Sequence, residues 1–329
     1  MEDALECAPV SDPTVPPELI PYLSPKRLEA LSIPSSAVVD SIETLIRGQA
    51  EGTVWAAPKS TLTPTGGRYI MSTLAAADEP RIVSAKLLVL NLANAAKGLP
   101  DLNSLVTLLD SETGLPLAVV DGNWVTAVRT AGLSGVAARR MARSDSTSLA
   151  FVGCGVQARS HLQLMADLFP IREIHAYGRG VANREALCRL AEQRGLTATV
   201  HDDAREAVMA ADIVVSSVSV PRQAPPPAFM DARWLKPGAF VAFVDLAGIW
   251  VAEGMPALDR IVIDDLVQEA TQARKLVDPA LVAGDLAGLV MGAVQGRASA
   301  EERSGFAFRG MAIGDLAIAA LAYQQSLLF

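Results

Sequence analysis

The sequence predicts an α/β protein: a Rossmann-type, doubly wound domain joined to a second, α+β domain. Three observations carry this. A short apolar strand runs into a glycine turn and a helix near the middle of the chain, apolar strands alternate with helical segments after it, and the segment before it is rich in hairpin-like strands. With 329 residues, 50% of them hydrophobic, the chain can bury one large or two moderate cores, and its length suggests two.

In the first half, residues 36–47 have the spacing of an amphipathic helix, and 81–90, 104–109 and 116–120 read as strands. Asp110-Ser111-Glu112-Thr113-Gly114 is a hairpin connection between the last two. Residues 125–141 form a helix leading into the nucleotide domain, with the boundary near 144–148. Residues 1–144 are therefore expected to form an α+β substrate or dimer domain, followed by the nucleotide domain.

The strand Ser148–Val152 opens into Gly153-Cys154-Gly155-Val156-Gln157-Ala158, the Gly-x-Gly-x-x-Ala layout that a dinucleotide pyrophosphate requires. Gly153 permits the tight turn, Gly155 lets backbone approach phosphate, and Ala158 keeps helix and strand close while the helix N-terminus offers free N–H groups. Glu173–Tyr177 is the next strand, followed by a helix over 183–194 and buried strands over 211–217, 238–244 and 260–264. The loop after the second strand reads Gly178-Arg179-Gly180, with no carboxylate until Glu185. An acid there would hold the ribose 2′-OH of NAD, whereas Arg179 suits the 2′-phosphate of NADP through paired charge-assisted hydrogen bonds. NADPH is the expected cofactor, the alternative for Arg179 being a solvated loop residue.

Composition excludes several classes. A net charge of −8 argues against nucleic acid and acidic membranes as partners. Asp245 and Asp285 interrupt the most apolar C-terminal stretches, so no membrane span is expected, and the acidic start Met1-Glu2-Asp3-Ala4-Leu5-Glu6 lacks the regions of a signal peptide. Cytoplasmic residence follows as an expectation. Cys7, Cys154 and Cys188 lack ligand spacing, so neither a metal site nor a disulfide framework is expected. Pro225-Pro226-Pro227 reads as a rigid loop above the sheet.

Two cations stand in apolar surroundings: Lys86 within Ile82-Val83-Ser84-Ala85-Lys86-Leu87-Leu88-Val89-Leu90, and Arg129 within a helix start. A buried ammonium needs an anion, from the protein or from a substrate; otherwise Lys86 lies on the wet face of a half-buried strand and Arg129 in a structural salt bridge.

Three blocks, Asp121-Gly122-Asn123-Trp124-Val125-Thr126-Ala127-Val128-Arg129-Thr130-Ala131, Val152-Gly153-Cys154-Gly155-Val156-Gln157-Ala158-Arg159 and Gly310-Met311-Ala312-Ile313-Gly314-Asp315-Leu316-Ala317, together resemble the ornithine cyclodeaminase/μ-crystallin family, over about residues 38–323. The resemblance implies a homodimer acting on small α-amino or α-imino acids, with an N-terminal half rejoined by the C-terminal helix, so that residues 1–144 with 305–329 form the substrate-binding and dimerisation domain and 145–304 the NAD(P)-binding domain. It implies a substrate-carboxylate set of Lys59, Lys86 and Arg129, with Lys59 standing where the family has arginine. A lysine keeps the charge but loses the bidentate fork. In the cyclodeaminases an Asp in a Gly-Gly-Asp-Cys-Pro-Gly-Lys segment after the fifth strand handles the amine; here Ala247 falls at that position, and Asp245 lies two places early. Lys86, Asp315 and Asp245 are the candidate catalytic residues, Asp315 having a plain alternative as a helix first-turn carboxylate. The cofactor set is Thr130, Gly153, Gly155, Val156, Gln157, Ala158, Gly178, Arg179, Ser217 and Val218, with Arg159 beside it. Tyr69, Trp124 and Trp250 are candidates for an apolar pocket wall, and His161, His175 and His201 receive no catalytic role. The expected activity is NADPH-dependent reduction of a small ketimine or imino acid, or the reverse amino-acid dehydrogenation. The alternatives are a redox-neutral ornithine- or lysine-type cyclodeaminase using bound NAD, and a non-catalytic small-ligand binder of the μ-crystallin kind.

Overall fold

A computed structural model describes residues 19–219 and 227–328. The acidic start, Cys7, Pro225 and Pro226 lie outside the described residues.

The first sheet contains β1 (Tyr22–Leu23), β2 (Val54–Ala56), β3 (Ser60–Leu62), β4 (Tyr69–Ala77), β5 (Ile82–Leu90), β6 (Leu102–Asp110) and β7 (Pro116–Asp121), in the order β1-β7-β6-β5-β4-β2 with β3 also on β4. Apart from the parallel β1–β7 pair its ladders are antiparallel. The expected hairpin loop joins β6 to β7. Period-two alternation turns Met71, Thr73, Ala75 and Ala77 of β4, and Ile82, Ser84, Lys86 and Leu88 of β5, toward the core. Lys86 is 1% exposed, so the wet-face alternative for it is wrong. On the opposite face Leu74, Leu87 and Leu105 are about half exposed.

Helices α1 (Pro25–Ala30) and α2 (Ser35–Glu51) precede β2, and α3 (Gly122–Met141) follows β7. The inner face is covered by the C-terminal helix α9 (Ala312–Ser326), which packs on β4, β5, α2 and α3. Its Ile313, Leu316, Ile318, Ala319 and Ala322 are buried around the helix rather than along one stripe, as befits an element sandwiched on several sides.

The second sheet is wholly parallel: β8 (Ser148–Val152), β9 (Glu173–Tyr177), β10 (Thr197–Val200), β11 (Ile213–Ser216), β12 (Phe240–Phe243), β13 (Arg260–Ile263), β14 (Val282–Asp285) and β15 (Ser304–Ala307), in the order β10-β9-β8-β11-β12-β15-β13-β14. Between them lie α4 (Val156–Leu168), α5 (Val181–Gln193), α6 (Ala204–Met209), α7 (Leu266–Ala270) and α8 (Leu286–Met291). The chain winds one way from β8 to β10 and the other way from β11 onward, so the switch point, where such sheets open a crevice, is the β8–β11 boundary. Strand β15 pairs with both β12 and β13, so a division after residue 304 cuts through it; the sheet reaches Ala307, and residues 308–311 cross to α9.

His161 is fully buried between α3 and α4, its Nδ1 2.7 Å from the Gln157 carbonyl and its Nε2 2.9 Å from Ser134 Oγ. Burial pushes its pKa down to about 4, which makes it a neutral bolt between the two layers. No helix among the described residues is long and apolar enough to cross a membrane.

Candidate active site

Strand pairing sets Lys86 directly opposite Thr73, and both face the first turn of α9. There Lys86 Nζ lies 2.6 Å from Asp315 Oδ1, while Thr73 Oγ1 donates to Oδ2 at 2.9 Å. Arg129 comes from α3, one helical turn after Thr126, whose hydroxyl accepts from Lys86 at 3.4 Å. Arg129 Nε is 3.1 Å from Asp315 Oδ1 but off the hydrogen-bonding direction, so this contact is electrostatic rather than a bond. Asp315 is 2% exposed. Burial alone would push its pKa up; Lys86 and Arg129 outweigh that and hold it below the usual carboxylate range.

Lys59 reaches the same place by a break in strand pairing. β2 pairs with Ala75–Ala77 and β3 with residues 70–72, so both share one edge of β4 and residues 57–59 arch over the gap opposite Thr73. From that arch Lys59 Nζ donates to the Arg309 carbonyl at 2.8 Å. Gly310 follows in the left-handed region, φ 88°, and a Cβ there would lie 2.1 Å from Arg129 Nη1. The guanidinium rests against bare backbone, which only glycine allows.

Burial pushes both lysines down to about 8, with Asp264 and Asp315 opposing the shift at Lys59 and Asp315 opposing it at Lys86. Three cations thus face two carboxylates, a surplus of one positive charge. Substrate-anion affinity should be full while the lysines are protonated and fall as pH rises through about 8. A KM for an anionic substrate that stays flat from pH 7 to pH 9.5 would contradict this.

The cofactor edge lies at the switch point. Gly153, φ 94°, turns where a Cβ would meet the Ser217 carbonyl at 2.8 Å, and Ser217 Oγ donates to the Gly153 carbonyl at 3.2 Å. Nothing lies within 4 Å of a Cβ built on Gly155, which caps α4 without a side-chain bond. Open space above uncapped helix N–H groups fits a pyrophosphate. The buried Gln157 Oε1 has no partner, and Val156 is 57% exposed at the helix start. Ala158 is fully buried against β8, and Gly178 sits close to Cys154 Sγ. Arg179 is exposed between β9 and α5. Thr130 is buried, its hydroxyl donating to the Thr126 carbonyl within α3, and Arg159 donates to the Cys154 carbonyl at 3.4 Å.

Asp245 stands apart from the cations. It follows β12, accepts from Ser216 Oγ at 3.0 Å and from the Val218 N–H at 3.4 Å, and burial pushes it up to about 7. Trp250 is 5% exposed and donates to the same Ser216 hydroxyl at 3.0 Å. Between them Leu246 (φ 61°) and Ala247 (φ 54°) are both left-handed, a conformation that costs roughly 1–2 kcal/mol per non-glycine residue. Ala247 lines a cavity of about 620 Å³ with Trp250, Met255 and Leu276.

Thr73, Thr126, Asp264 and Arg309 escaped the sequence reading. Only Asp264 carried a signal, as an acid closing the apolar run Arg260–Ile263.

Cations gathered beside the carboxyl ends of a doubly wound sheet, with an open glycine turn at its switch point, define an NAD(P)-dependent oxidoreductase. A match to the family model "Ornithine cyclodeaminase/mu-crystallin family" spans residues 26–327, and the chain belongs to that family. It is 30% identical to an alanine dehydrogenase of Archaeoglobus fulgidus over 71% of this chain and 74% of that one. Its fold matches Delta(1)-pyrroline-2-carboxylate reductase of Thermococcus litoralis, solved with NADH and L-proline, at a TM-score of 0.82 and 24% identity, covering 94% and 98% of the two chains. An archaeal alanine dehydrogenase dimer with bound NAD matches at 0.78 and 26% identity, covering 94% and 96%.

Proposed function

We propose that this protein is an NADPH-dependent reductase that converts a small cyclic ketimine or other imino acid to the amino acid, or runs the reverse dehydrogenation. The observation that carries this reading is the bond from Lys59 to the Arg309 carbonyl: it brings the surplus positive charge of the first sheet to the residues that leave β15, beside the carboxyl edge of the nucleotide sheet. Bound at the Gly153–Ala158 turn, a reduced nicotinamide would supply the hydride for the imine carbon, with a solvent proton completing the amine. Lys59, Lys86 and Arg129 hold the substrate carboxylate, and Asp315 fixes the two buried cations in place. Ala247 offers no carboxylate for an attacking amine, and Asp245 is bonded to Ser216 and Val218, which favours net reduction over cyclodeamination.

The exposed Leu74, Leu87 and Leu105 form an apolar sheet face suited to a second copy of the chain, in line with the homodimer that the family resemblance implies.

The deciding experiment is a spectrophotometric screen of NADPH oxidation against cyclic imino acids and against 2-oxo acids with amines. Stoichiometric proline or pipecolate and ammonia from ornithine or lysine with catalytic NAD would establish the lyase instead, and tight binding of an imino acid without turnover would establish a binding protein.

Cofactor choice is tested separately. Arg179→Ala is expected to weaken NADPH by about 1.5–3 kcal/mol, the range for a hydrogen bond to a charged group, and to leave NADH nearly unchanged. Equal losses for both dinucleotides in paired titrations would remove Arg179 from the site.

A further inference from the structure

Lys59 and Arg129 both rest on two residues, Arg309 and Gly310, that belong to neither sheet. A crossing segment of this kind needs something to hold it, because a loop with free φ/ψ would smear the positions of both cations. The holder is the stretch that leaves β13. Asp264 Oδ2 accepts the Arg309 N–H at 2.9 Å, and the nearby Gly310 N–H favours the charged form of this carboxylate. Gln268 Nε2 donates to the Gly310 carbonyl at 3.3 Å. Glu269 pairs with the Arg309 guanidinium at 2.6 Å, and its other oxygen accepts the Leu276 N–H at 2.6 Å. The N–H and guanidinium of Arg309 are thus fixed, leaving its carbonyl aimed at Lys59.

Asp264 differs from the other two holders. It is 1% exposed, yet its Oδ1 has no hydrogen-bond partner, an expensive state for a buried carboxylate unless charge nearby compensates it. The charges acting on it are Lys59, which opposes the effect of burial, and Asp265, which adds to it.

We propose that Asp264 is a positioning residue for the substrate carboxylate: it clamps the Arg309–Gly310 crossing and so sets where Lys59 and Arg129 meet the anion. This rests on the imino-acid reductase reading for its substrate, and on geometry alone for the clamp.

The experiment compares wild type, Asp264→Ala and Asp264→Asn. Steady-state kinetics use Delta(1)-pyrroline-2-carboxylate and NADPH; fluorescence titration gives the NADPH Kd, and a second titration uses pyrrole-2-carboxylate as a non-reducible planar anion. Asp264→Ala should raise KM and the pyrrole-2-carboxylate Kd at least 10-fold, with kcat within about 3-fold and the NADPH Kd unchanged. Asp264→Asn, whose amide oxygen still accepts the Arg309 N–H, should recover most of the loss at pH 7. An unchanged KM and anion Kd in Asp264→Ala, or parallel loss of NADPH affinity and kcat in both variants, would overturn the proposal. If the wild type reduces no imino acid, the functional reading fails by itself, and the pyrrole-2-carboxylate titration still decides the clamp: a Kd raised in Asp264→Ala and recovered in Asp264→Asn supports it, and a Kd equal in all three proteins refutes it.

Discussion

Asp315→Ala is expected to lower the free energy of unfolding by about 3–5 kcal/mol, the cost of leaving buried charge without its partner. The substitution strands Lys86, 1% exposed, and Arg129, 8% exposed, whose shared counter-ion it removes. Lys86→Met should cost less, since Asp315 keeps Thr73 and Arg129, and adding Lys86→Met to Asp315→Ala should recover part of the loss by removing one stranded ammonium. Urea unfolding of the three variants measures this. A single-variant loss under about 1 kcal/mol would show that water reaches the cluster and that the pairing is not structural. The pH sign follows from the depressed pKa: the contribution of Asp315 is complete above its ordinary value of 3.8 and is lost as pH falls through the lower folded value.

Arg129→Met should act on catalysis rather than folding, because Asp315 retains Lys86 and Thr73. The expected loss in kcat/KM is tens to thousands of fold, roughly 2–4 kcal/mol of transition-state stabilisation. Gly310→Ala should reproduce the direction without touching a charge, since the new methyl would occupy the place of the guanidinium and meet a φ of 88°. Steady-state kinetics with thermal unfolding of each variant separate the roles: a large stability loss with kcat/KM intact in the folded remainder would make Arg129 scaffold.

The nucleotide half was legible because its signals are local. Ser148–Val152 and Glu173–Tyr177 are bounded by a glycine turn and by charged or glycine neighbours, so their limits follow from sequence. Strand β15 was invisible because Ser304–Ala307 is only four residues, two of them Ser and Gly, and is a strand only by virtue of its flanking partners. Tyr69–Ala77 was missed for a related reason: Ala-rich alternation with Ser and Thr carries little β signal until Lys86 and its neighbours pair with it. Lys86 and Arg129 stood out as cations in apolar runs, but that they meet on Asp315 depends on which way β5 and α9 turn. Asp245 looked interchangeable with Asp315 in sequence; the bonds to Ser216 and Val218 place it with the nucleotide edge.

The Lys86–Asp315 pair joins residues 229 positions apart. While the chain is being made, the antiparallel sheet containing Lys86 is complete long before residue 312 exists, and until then its inward ammonium has no counter-ion. Burying that ammonium before its counter-ion arrives is costly, which disfavours closure of the sheet over a dry core at that stage. Docking of α9 is then the step that licenses closure, and refolding should be slow, with the late phase reporting arrival of the C-terminal helix.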